Sequence, residues 1–503
     1  MINEGNLQMN LTALFTDFYS LTMAQGYWKQ SRERSDRNAA SRKAVFEMFF
    51  RRQPFGGGYT IFAGLGTLLD NITAFSFSAD DIEYLKTLKV FEEGFIEYLK
   101  YFRFNGSLWA FDEGSVVFPN EPLIRIEGGL IECQLIEGML LNTINFQSLI
   151  ATKTCRIRLA SGKGTVMEFG MRRAQGPDGA ISASRAAYIG GAAGTSSTLA
   201  GKTFGIPVMG TMAHSWVMSF PDEEAAFDAF AQLYPDRAVF LIDTYDTLKS
   251  GIVSAINAGR RLKERGKNFG VRLDSGDIQY LSAEVRKRLD DAGLHDATIT
   301  VSNDLDESII ETLVKSQAPV DSWGVGTNMV TGSGEGAFTG VYKMAACEDA
   351  QGQMVPVMKF SDNPEKNTNP GVKQVWRIKD AGGSAVADVL ALDRPGSDEA
   401  EIIKPENTYR FWHLSADYRH FNHIVSGTPA PLLKKRIEEG KPCSPCPDLK
   451  EIRAHVEAEL ECFDSTYKRL LNPYVYKVSA TEKLRNLKLE LINRHLSNNT
   501  SSR

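Results

Sequence analysis

The sequence predicts an α/β protein built on parallel strands, because short apolar runs alternate with helix-length amphipathic stretches between residues 131 and 346. The runs are apolar enough to be buried on both faces of a sheet, which is typical of parallel strands. In chain order they are TVMEFG, IPVMGTMAH, AVFLIDT, FGVRLDSGD, TITVSND and SWGVGTN. Repeated strand–helix units form either a closed barrel or an open doubly wound sheet. Because no GxGxxG phosphate fingerprint follows the first run, we favour the barrel.

The two ends of the chain have a different texture. Residues 1–130 open with an apolar-aromatic segment, continue with a strand-like run broken by a glycine turn, and then show a helical stretch from Asp80 to Phe102. Residues 347–503 combine a Lys-rich loop, strand-like stretches and helices near the C-terminus. The chain therefore divides into 1–130, a central 131–346 and 347–503.

Composition excludes several classes of protein. The chain has 503 residues, 43% hydrophobic and 24% charged, which is ordinary for a folded protein of about two to four domains. A net charge of −5 speaks against general nucleic-acid binding. The first ten residues are polar, and apolar runs stay well short of the roughly 18 residues that a membrane span needs. We therefore expect a cytoplasmic protein with no nucleic-acid or membrane partner.

Residues 412–447 contain side chains that could suggest a metal site. Cys443 and Cys446 have metal-ligand spacing, but the sequence near them offers no second pair of ligands, so we interpret them as two reduced thiols in a turn. His413, His420 and His423 are close in sequence but do not match a known ligand pattern. Six cysteines in the whole chain are too few for a disulfide scaffold. No metal held by protein side chains alone is predicted, and the role of this stretch is left open.

The residues that follow the apolar runs are the candidate site, because parallel strands carry functional groups at their carboxyl ends. Arginines bind carboxylates or phosphates, acids bind ribose hydroxyls or a magnesium ion on a polyphosphate, and small-residue turns admit phosphate oxygens. Together these groups suit an anionic sugar phosphate. The candidates are Glu168, Phe169, Arg172, Arg173, Gly210, Thr211, His214, Asp243, Asp246, Arg272, Asp274, Asp277, Asn303, Asp304, Gly324, Gly326 and Thr327.

Structural roles remain possible for several of these residues. Arg272 and Asp274 could be a purely structural ion pair, and Asp243 could cap the next helix. Gly326 with Thr327 could be an ordinary turn, and a single histidine such as His214 is often a satisfied structural residue.

Longer segments resemble a known family in co-linear order. They are TDFYSLTMAQGYW (16–28), FEMFFRRQPFGGGYTIFAGL (46–65), EFGMRRAQGPDGAISASRAAYIGG (168–191), GTMAHSWVMSF (210–220), FLIDTYDT (240–247), GVRLDSGD (270–277), GVGTNMVT (324–331), LKEIRAHVEAEL (449–460) and YKRLLNPYVYKVS (467–479). With these segments the chain resembles the nicotinate phosphoribosyltransferases, which are type II phosphoribosyltransferases.

The resemblance implies a fold, a reaction and partners. The fold would be an irregular α/β barrel beside a second α+β domain built from both chain ends. The enzyme would join nicotinate to phosphoribosyl pyrophosphate, giving nicotinate mononucleotide and pyrophosphate for NAD biosynthesis. Magnesium would be required, ATP hydrolysis would be coupled through a phosphohistidine at His214, and the active sites of a homodimer would be shared.

The resemblance also implies roles for residues that would bind nicotinate. Phe169 and Tyr19, the latter from the partner subunit, would hold the flat ring between them. Arg272 and Thr211 would bind the carboxylate, and Arg172 would lie near nicotinate or the phosphates.

Other residues are expected around the ribose and the phosphates. Asp243 and Asp274 would hold ribose hydroxyls and oppose the positive charge that develops at C1. The expected phosphate contacts are Gly326, Thr327, Lys359 and Lys366, although a solvated charged loop is an alternative for the two lysines.

Ser196 bears on the choice of pyridine. Related nicotinamide enzymes have an acid at this place, which would repel a carboxylate, so a serine favours nicotinate. A nicotinamide or quinolinate phosphoribosyltransferase and a non-catalytic nucleotide-binding relative remain the alternatives.

Overall fold

The computed structural model describes residues 11–33, 42–363, 366–393, 401–414, 416 and 418–500. The chain packs into two compact units. The first, here called the parallel-sheet unit, contains Ile150–Gly336. The second, here called the flanking unit, combines the described residues up to 149 with those from 337 on. This unit draws on both ends of the chain, as the resemblance implied for a second domain.

The parallel-sheet unit is organised around five parallel strands in the order β1-β5-β4-β3-β2. They are β1 (Thr165–Glu168), β2 (Val239–Leu241), β3 (Gly270–Leu273), β4 (Thr298–Asn303) and β5 (Ser322–Val325). Ile299 and Val301 of β4 are fully buried, as expected for a strand covered on both faces. The alternation of apolar runs and helices thus yields the α/β class that the sequence predicts.

Helices follow the strands in this unit. They are α1 (Gly176–Ile189), α2 (Thr198–Phe204), α3 (His214–Met218), α4 (Glu223–Leu233), α5 (Ile252–Glu264), α6 (Ile278–Asp291), α7 (Glu307–Lys315) and α8 (Thr327–Val330). The starts of α4, α6 and α7 are fixed by Asp222, Asp277 and Asp306, whose carboxylates accept backbone N–H groups of the first turn. Such caps stabilise a helix end by about 1 kcal/mol and position the loops that precede them.

The second apolar run, IPVMGTMAH, differs from the prediction. Instead of a strand, it contributes a single bridge at Val208 to Thr195, which in turn bridges Glu168 at the end of β1. The carbonyl of Pro207 accepts a hydrogen bond from Thr195 N at 3.0 Å. Because proline has no N–H group to donate in return, an extended ladder cannot form there. Among the described residues, strand pairing connects β1, β5, β4, β3 and β2 in that order, and no pairing joins Val208 to β2. Closure into a barrel therefore stays a prediction.

The described residues of the flanking unit form three sheets. The largest has seven strands, in the order Met354–Pro356, Gly340–Glu348, Lys43–Phe50, Ile124–Gly129, Ser107–Ala110, Lys434–Glu438 and Lys441–Pro442, all antiparallel. A six-stranded sheet has the order His420–Ile424, Thr408–His413, Val478–Ala480, Ala385–Leu392, Lys373–Lys379 and Ala430–Pro431. Thr60–Ile61 and Val116–Val117 form a two-stranded sheet.

Helices of the flanking unit pack on an aromatic-rich core. They are Phe18–Glu33, Leu65–Thr73, Ala79–Thr87, Glu93–Lys100, Leu130–Leu135, Leu449–Glu461 and Glu482–Thr500, and Glu137–Ala160 crosses the boundary between the units along the chain. The stretch predicted to be helical from Asp80 to Phe102 is two helices, and Lys89 between them adopts a φ of 53°. In the described part of the chain, none of the helices is both long and apolar enough to cross a bilayer.

Candidate active site

Arg272 lies at the carboxyl end of β3 with its guanidinium fixed by neighbours on three sides. Its Nε donates to Ser302 Oγ at 2.7 Å, one Nη to Thr211 Oγ1 at 2.9 Å, and the other Nη to Asp274 Oδ1 at 2.7 Å. The side chain is 16% exposed, so it is largely buried but reaches the surface of the site. Because every nitrogen has a partner, the plane of this cation is set before any ligand binds.

Asp274 connects Arg272 to a histidine. Its Oδ1 accepts from Arg272 and Ser302, and its Oδ2 lies 3.8 Å from His214 Nε2. Burial acts to raise the pKa of Asp274, but the hydrogen bond from Ser302 and the charge of Arg272 outweigh it, so the pKa is lowered. Asp274 is therefore a stable anion at neutral pH, 32% exposed at the mouth of the sheet.

Asp243 follows β2 and supports the loop that carries Asp274. Its Oδ2 accepts from Asp274 N at 3.0 Å and from Ser275 Oγ at 2.6 Å. Its Oδ1 is buried and has no hydrogen-bond partner among the described residues. The interpretation of Asp243 as a helix cap is wrong, since Asp246 accepts the N–H groups of the following turn.

His214 is the first residue of α3 and is oriented by two groups. Its Nδ1 lies 3.1 Å from Thr244 Oγ1, and its Nε2 faces Asp274. The side chain is 42% exposed. An accessible imidazole held between a hydroxyl and a carboxylate is suited to nucleophilic or proton-transfer chemistry.

Phe169 places an aromatic ring beside Arg272. The guanidinium carbon lies 5.8 Å from the ring centroid, and Phe169 N donates to Val325 O at 2.8 Å. A Cβ on Gly324 of β5 would come within 2.5 Å of the ring, so a glycine is required there. The site therefore offers an aromatic face next to a fixed cation.

Glu168, the last residue of β1, is fully buried behind Phe169. Its carboxylate accepts from Gly170 N, Ser184 Oγ and Thr195 Oγ1, and its carbonyl accepts from Ser196 N at 2.9 Å. One buried acid thus ties the loop that carries Phe169 to the segment that carries Ser196.

Four more predicted residues follow the ends of β5 and β1, which are paired strands: Gly326, Thr327, Arg172 and Arg173. Gly326 precedes α8 and Thr327 begins it, directly after the β5 residue that binds the backbone of Phe169. Arg172 and Arg173 are exposed on a short 3-10 turn after β1 and have no ion pair with another described residue.

Tyr19, Lys359 and Lys366 belong to the flanking unit. Tyr19 is half-exposed and donates to Glu137 Oε2 at 3.0 Å, and burial together with the Glu137 charge raises the pKa of its hydroxyl. Lys359 and Lys366 are exposed. Their predicted roles toward a ligand stay predictions.

Sequence reasoning missed two residues of the site, Ser302 and Thr244, whereas Glu168 was among the candidates. Ser302 and Thr244 each stand next to a position that drew attention, and hydroxyls carry no distinctive signal in a sequence. Among the described residues, no three His, Cys, Asp or Glu side chains gather as a metal site would require. Cys443 and Cys446 are exposed and belong to no disulfide bond among the described residues, and His420 and His423 lie on a strand paired with Thr408–His413.

Comparison with family models covers most of the chain. Residues 14–145 match the N-terminal domain of nicotinate phosphoribosyltransferase, 165–387 match the nicotinate phosphoribosyltransferase family, and 372–488 match its C-terminal domain. The nicotinate phosphoribosyltransferase of Bacillus subtilis is 41% identical over 472 residues, 93% of each chain. The chain belongs to the nicotinate phosphoribosyltransferase family.

Further relatives of this family agree. The Caenorhabditis elegans nicotinate phosphoribosyltransferase is 36% identical, covering 94% of this chain and 92% of its own. The crystal structure of human nicotinic acid phosphoribosyltransferase matches with a TM-score of 0.80 at 30% identity, over 95% of this chain and 99% of that one. The resemblance to nicotinate phosphoribosyltransferases is thus confirmed, and with it the α/β fold class.

Proposed function

We propose that the protein transfers the phosphoribosyl group of phosphoribosyl pyrophosphate to nicotinate, as a step of NAD biosynthesis. The single observation that supports this most strongly is the pairing of Arg272 with Phe169, a fixed cation beside an aromatic face. Nicotinate is a flat aromatic carboxylate and needs both. The family relationship supplies the reaction.

The acids of the site suit the chemistry at ribose C1. In the reaction the pyridine nitrogen forms a bond to C1, the bond from C1 to the pyrophosphate oxygen breaks, and pyrophosphate leaves with that electron pair. Positive charge develops on the ribose ring meanwhile. Asp274 and Asp243, fixed at the ends of neighbouring strands, would stabilise it and bind ribose hydroxyls.

The carboxylate of nicotinate would be bound by Arg272 and Thr211, which are already hydrogen-bonded to each other. Ser196 is neutral where related nicotinamide enzymes have an acid. Because an acid would repel the carboxylate of nicotinate, the serine supports nicotinate over nicotinamide as the substrate. Tyr19 of the partner subunit would cover the other face of the nicotinate ring. The proposal therefore includes a homodimer whose active sites contain residues of both subunits. We also propose that the enzyme acts in the cytoplasm. Sedimentation analysis of the purified protein tests the dimer.

The phosphates would be bound around the mouth of the sheet. The proposed contacts are Arg172, Gly326, Thr327, Lys359 and Lys366. Mg²⁺ would neutralise the pyrophosphate, and the oxygen-only donors Asp243 and Asp274 fit this hard cation. Asp243 Oδ1, with no partner among the described residues, is the protein oxygen that we assign to it or to a ribose hydroxyl.

His214 is proposed to couple ATP hydrolysis to the transfer as a phosphohistidine. The γ-phosphoryl group of ATP would pass to a ring nitrogen of His214 as its bond to ADP breaks and ADP leaves, which would place negative charge near Asp274, whose Oδ2 lies 3.8 Å from Nε2. The added charge would change the affinity of the site for phosphoribosyl pyrophosphate, and hydrolysis of the phosphoramidate would restore the first state. ATP would thus drive the site between two affinities.

His214→Ala tests this coupling. We expect the variant to form nicotinate mononucleotide at a rate that ATP no longer increases, and to retain no phosphate after incubation with γ-labelled ATP. Stimulation by ATP in the variant equal to that in the wild type would show that His214 is not the coupling residue.

The function itself is tested by an assay of three pyridines. Wild-type protein with phosphoribosyl pyrophosphate and Mg²⁺ should form mononucleotide from nicotinate in preference to nicotinamide and quinolinate. Preference for another pyridine would favour a nicotinamide or quinolinate enzyme, and no release of pyrophosphate would indicate a non-catalytic relative.

A further inference from the structure

We propose that Ser302 is a positioning residue whose single hydroxyl holds Arg272 and Asp274 in one fixed geometry for nicotinate transfer. The inference rests on the proposed function and names a residue that neither the sequence motifs nor the family relationship indicated. Ser302 is 4% exposed and lies one residue before the end of β4, between the strand that carries Arg272 and β5.

The hydrogen-bond directions at Ser302 are determined by its partners. Arginine can only donate, so Ser302 Oγ accepts from Arg272 Nε at 2.7 Å. An ionised carboxylate can only accept, so the hydroxyl proton goes to Asp274 Oδ1. A weaker contact to Leu273 O at 3.4 Å competes for the same proton. The hydroxyl therefore accepts a hydrogen bond from Arg272 and donates one to Asp274, and an apolar side chain could do neither.

Loss of this link would free the guanidinium to rotate. Arg272 would keep Thr211 and Asp274 on its two Nη groups, but its Nε would have no partner while largely buried. Removing one partner of a buried donor costs more than the average hydrogen bond. The plane of Arg272, which faces the ring of Phe169 at 5.8 Å, would no longer be fixed.

Asp274 would lose a stabilising donor at the same time. The ionisable groups that face its carboxylate or loop are Arg272, His214 and the Asp243 carboxylate, which accepts from Asp274 N. Ser302 is the neutral donor in this set, and its hydrogen bond contributes to the lowered pKa of Asp274. A variant without the hydroxyl would therefore disturb both members of the pair.

The same strand provides a matched control. Thr300 lies two residues before Ser302, on the same face of β4, and is also 4% exposed. Its hydroxyl contacts Ser322 Oγ at 2.8 Å instead of the site. Thr300 pairs with Arg272 across the β3–β4 ladder, but its hydroxyl bonds to Ser322, so Thr300→Val removes a buried hydroxyl without removing a side-chain hydrogen bond to Arg272 or Asp274.

The experiment compares Ser302→Thr with Ser302→Val, which have the same shape and differ only in the hydroxyl. We expect Ser302→Thr to keep most of the activity and Ser302→Val to lower kcat for nicotinate by about 10- to 100-fold, with a smaller change in the KM for phosphoribosyl pyrophosphate. Thr300→Val should stay within about twofold of the wild type.

A double-mutant cycle shows whether Ser302 acts through Arg272. In an Arg272→Met background the change Ser302→Val should have little further effect, because the group it positions is gone. Equal activity of Ser302→Thr and Ser302→Val, or full additivity with Arg272→Met, would overturn the proposal. A wild-type protein that forms no nicotinate mononucleotide would instead overturn the proposed function, and this role with it.

Discussion

Two arginine–aspartate ion pairs in this protein have the same nitrogen–oxygen distance but differ in how far their side chains are exposed to solvent. Arg377 and Asp388 in the flanking unit are 2% and 0% exposed, whereas Arg272 and Asp274 in the parallel-sheet unit are 16% and 32% exposed, and both pairs meet at 2.7 Å. Distance alone therefore does not distinguish a structural pair from a functional one. The two kinds of pair are distinguished by their exposure to solvent and by whether they lie at the carboxyl ends of parallel strands.

The partners explain the difference. Arg377 also donates to Glu459 and to Val116 O, and Tyr476 donates to Asp388 at 3.0 Å, so this pair is enclosed by protein groups. Arg272 and Asp274 share partners with each other and face an exposed histidine and an aromatic ring. The first arrangement stabilises a fold, and the second leaves charged groups for a ligand.

The largest effect is expected where the enclosed pair is broken. Arg377→Met should destabilise the protein by about 3–5 kcal/mol, because Asp388 and Glu459 would keep buried charge without a cation. Urea unfolding measures this change, and transfer activity per folded molecule should be unaltered. Arg261→Met is the control, since its pair with Asp228 is 45% exposed on the arginine side and should be worth less than about 1 kcal/mol. Equal destabilisation by both variants would contradict the comparison.

The open pair should respond in the opposite way. Arg272→Met should lower kcat/KM for nicotinate by about 100- to 1000-fold, because a preorganised charge is lost from the site, while the free energy of unfolding falls less than in Arg377→Met, because Asp274 is 32% exposed and keeps its hydrogen bond from Ser302. Steady-state kinetics and urea unfolding on the same preparation separate the two quantities. Loss of stability without loss of activity would assign this pair to the structural class.

A smaller effect is expected at Ser196, whose backbone N–H donates to the carbonyl of Glu168, the residue before Phe169. Ser196→Asp should lower kcat/KM for nicotinate by about 10- to 100-fold and favour nicotinamide, because a negative charge repels the carboxylate. Ser196→Asn has nearly the same shape without the charge and should change the preference far less. Similar losses in both variants would mean that size, and not charge, matters at this position.

The smallest effect concerns pH and the enclosed pair. Burial and the Asp388 charge raise the pKa of Glu121 well above its ordinary value of 4.5. A raised pKa means that the folded state holds its proton more tightly, so this contribution to stability is full below about pH 4.5 and is lost as the pH rises through the folded pKa. Glu121→Gln should flatten the dependence of the midpoint of urea unfolding on pH above 4.5. An unchanged profile would show that Glu121 does not titrate in this range.

The sequence predicted most of the parallel-sheet unit because short apolar runs alternate there with helix-length amphipathic stretches. It predicted Arg272, Asp274 and His214 as candidates because they follow strands. It did not predict that the run containing Val208 would form only a bridge, since the effect of Pro207 depends on which strand lies beside it. Ser302 and Thr244 were missed for a similar reason, because their importance comes from partners distant in the chain.

The most direct test of this account measures mononucleotide formation from nicotinate and from nicotinamide by wild-type and Arg272→Met protein. We expect the substitution to reduce the rate with nicotinate far more than the rate with nicotinamide, because only nicotinate presents a carboxylate to the guanidinium. An equal reduction for both pyridines, or none, would contradict the claim that Arg272 and its neighbours form the nicotinate site.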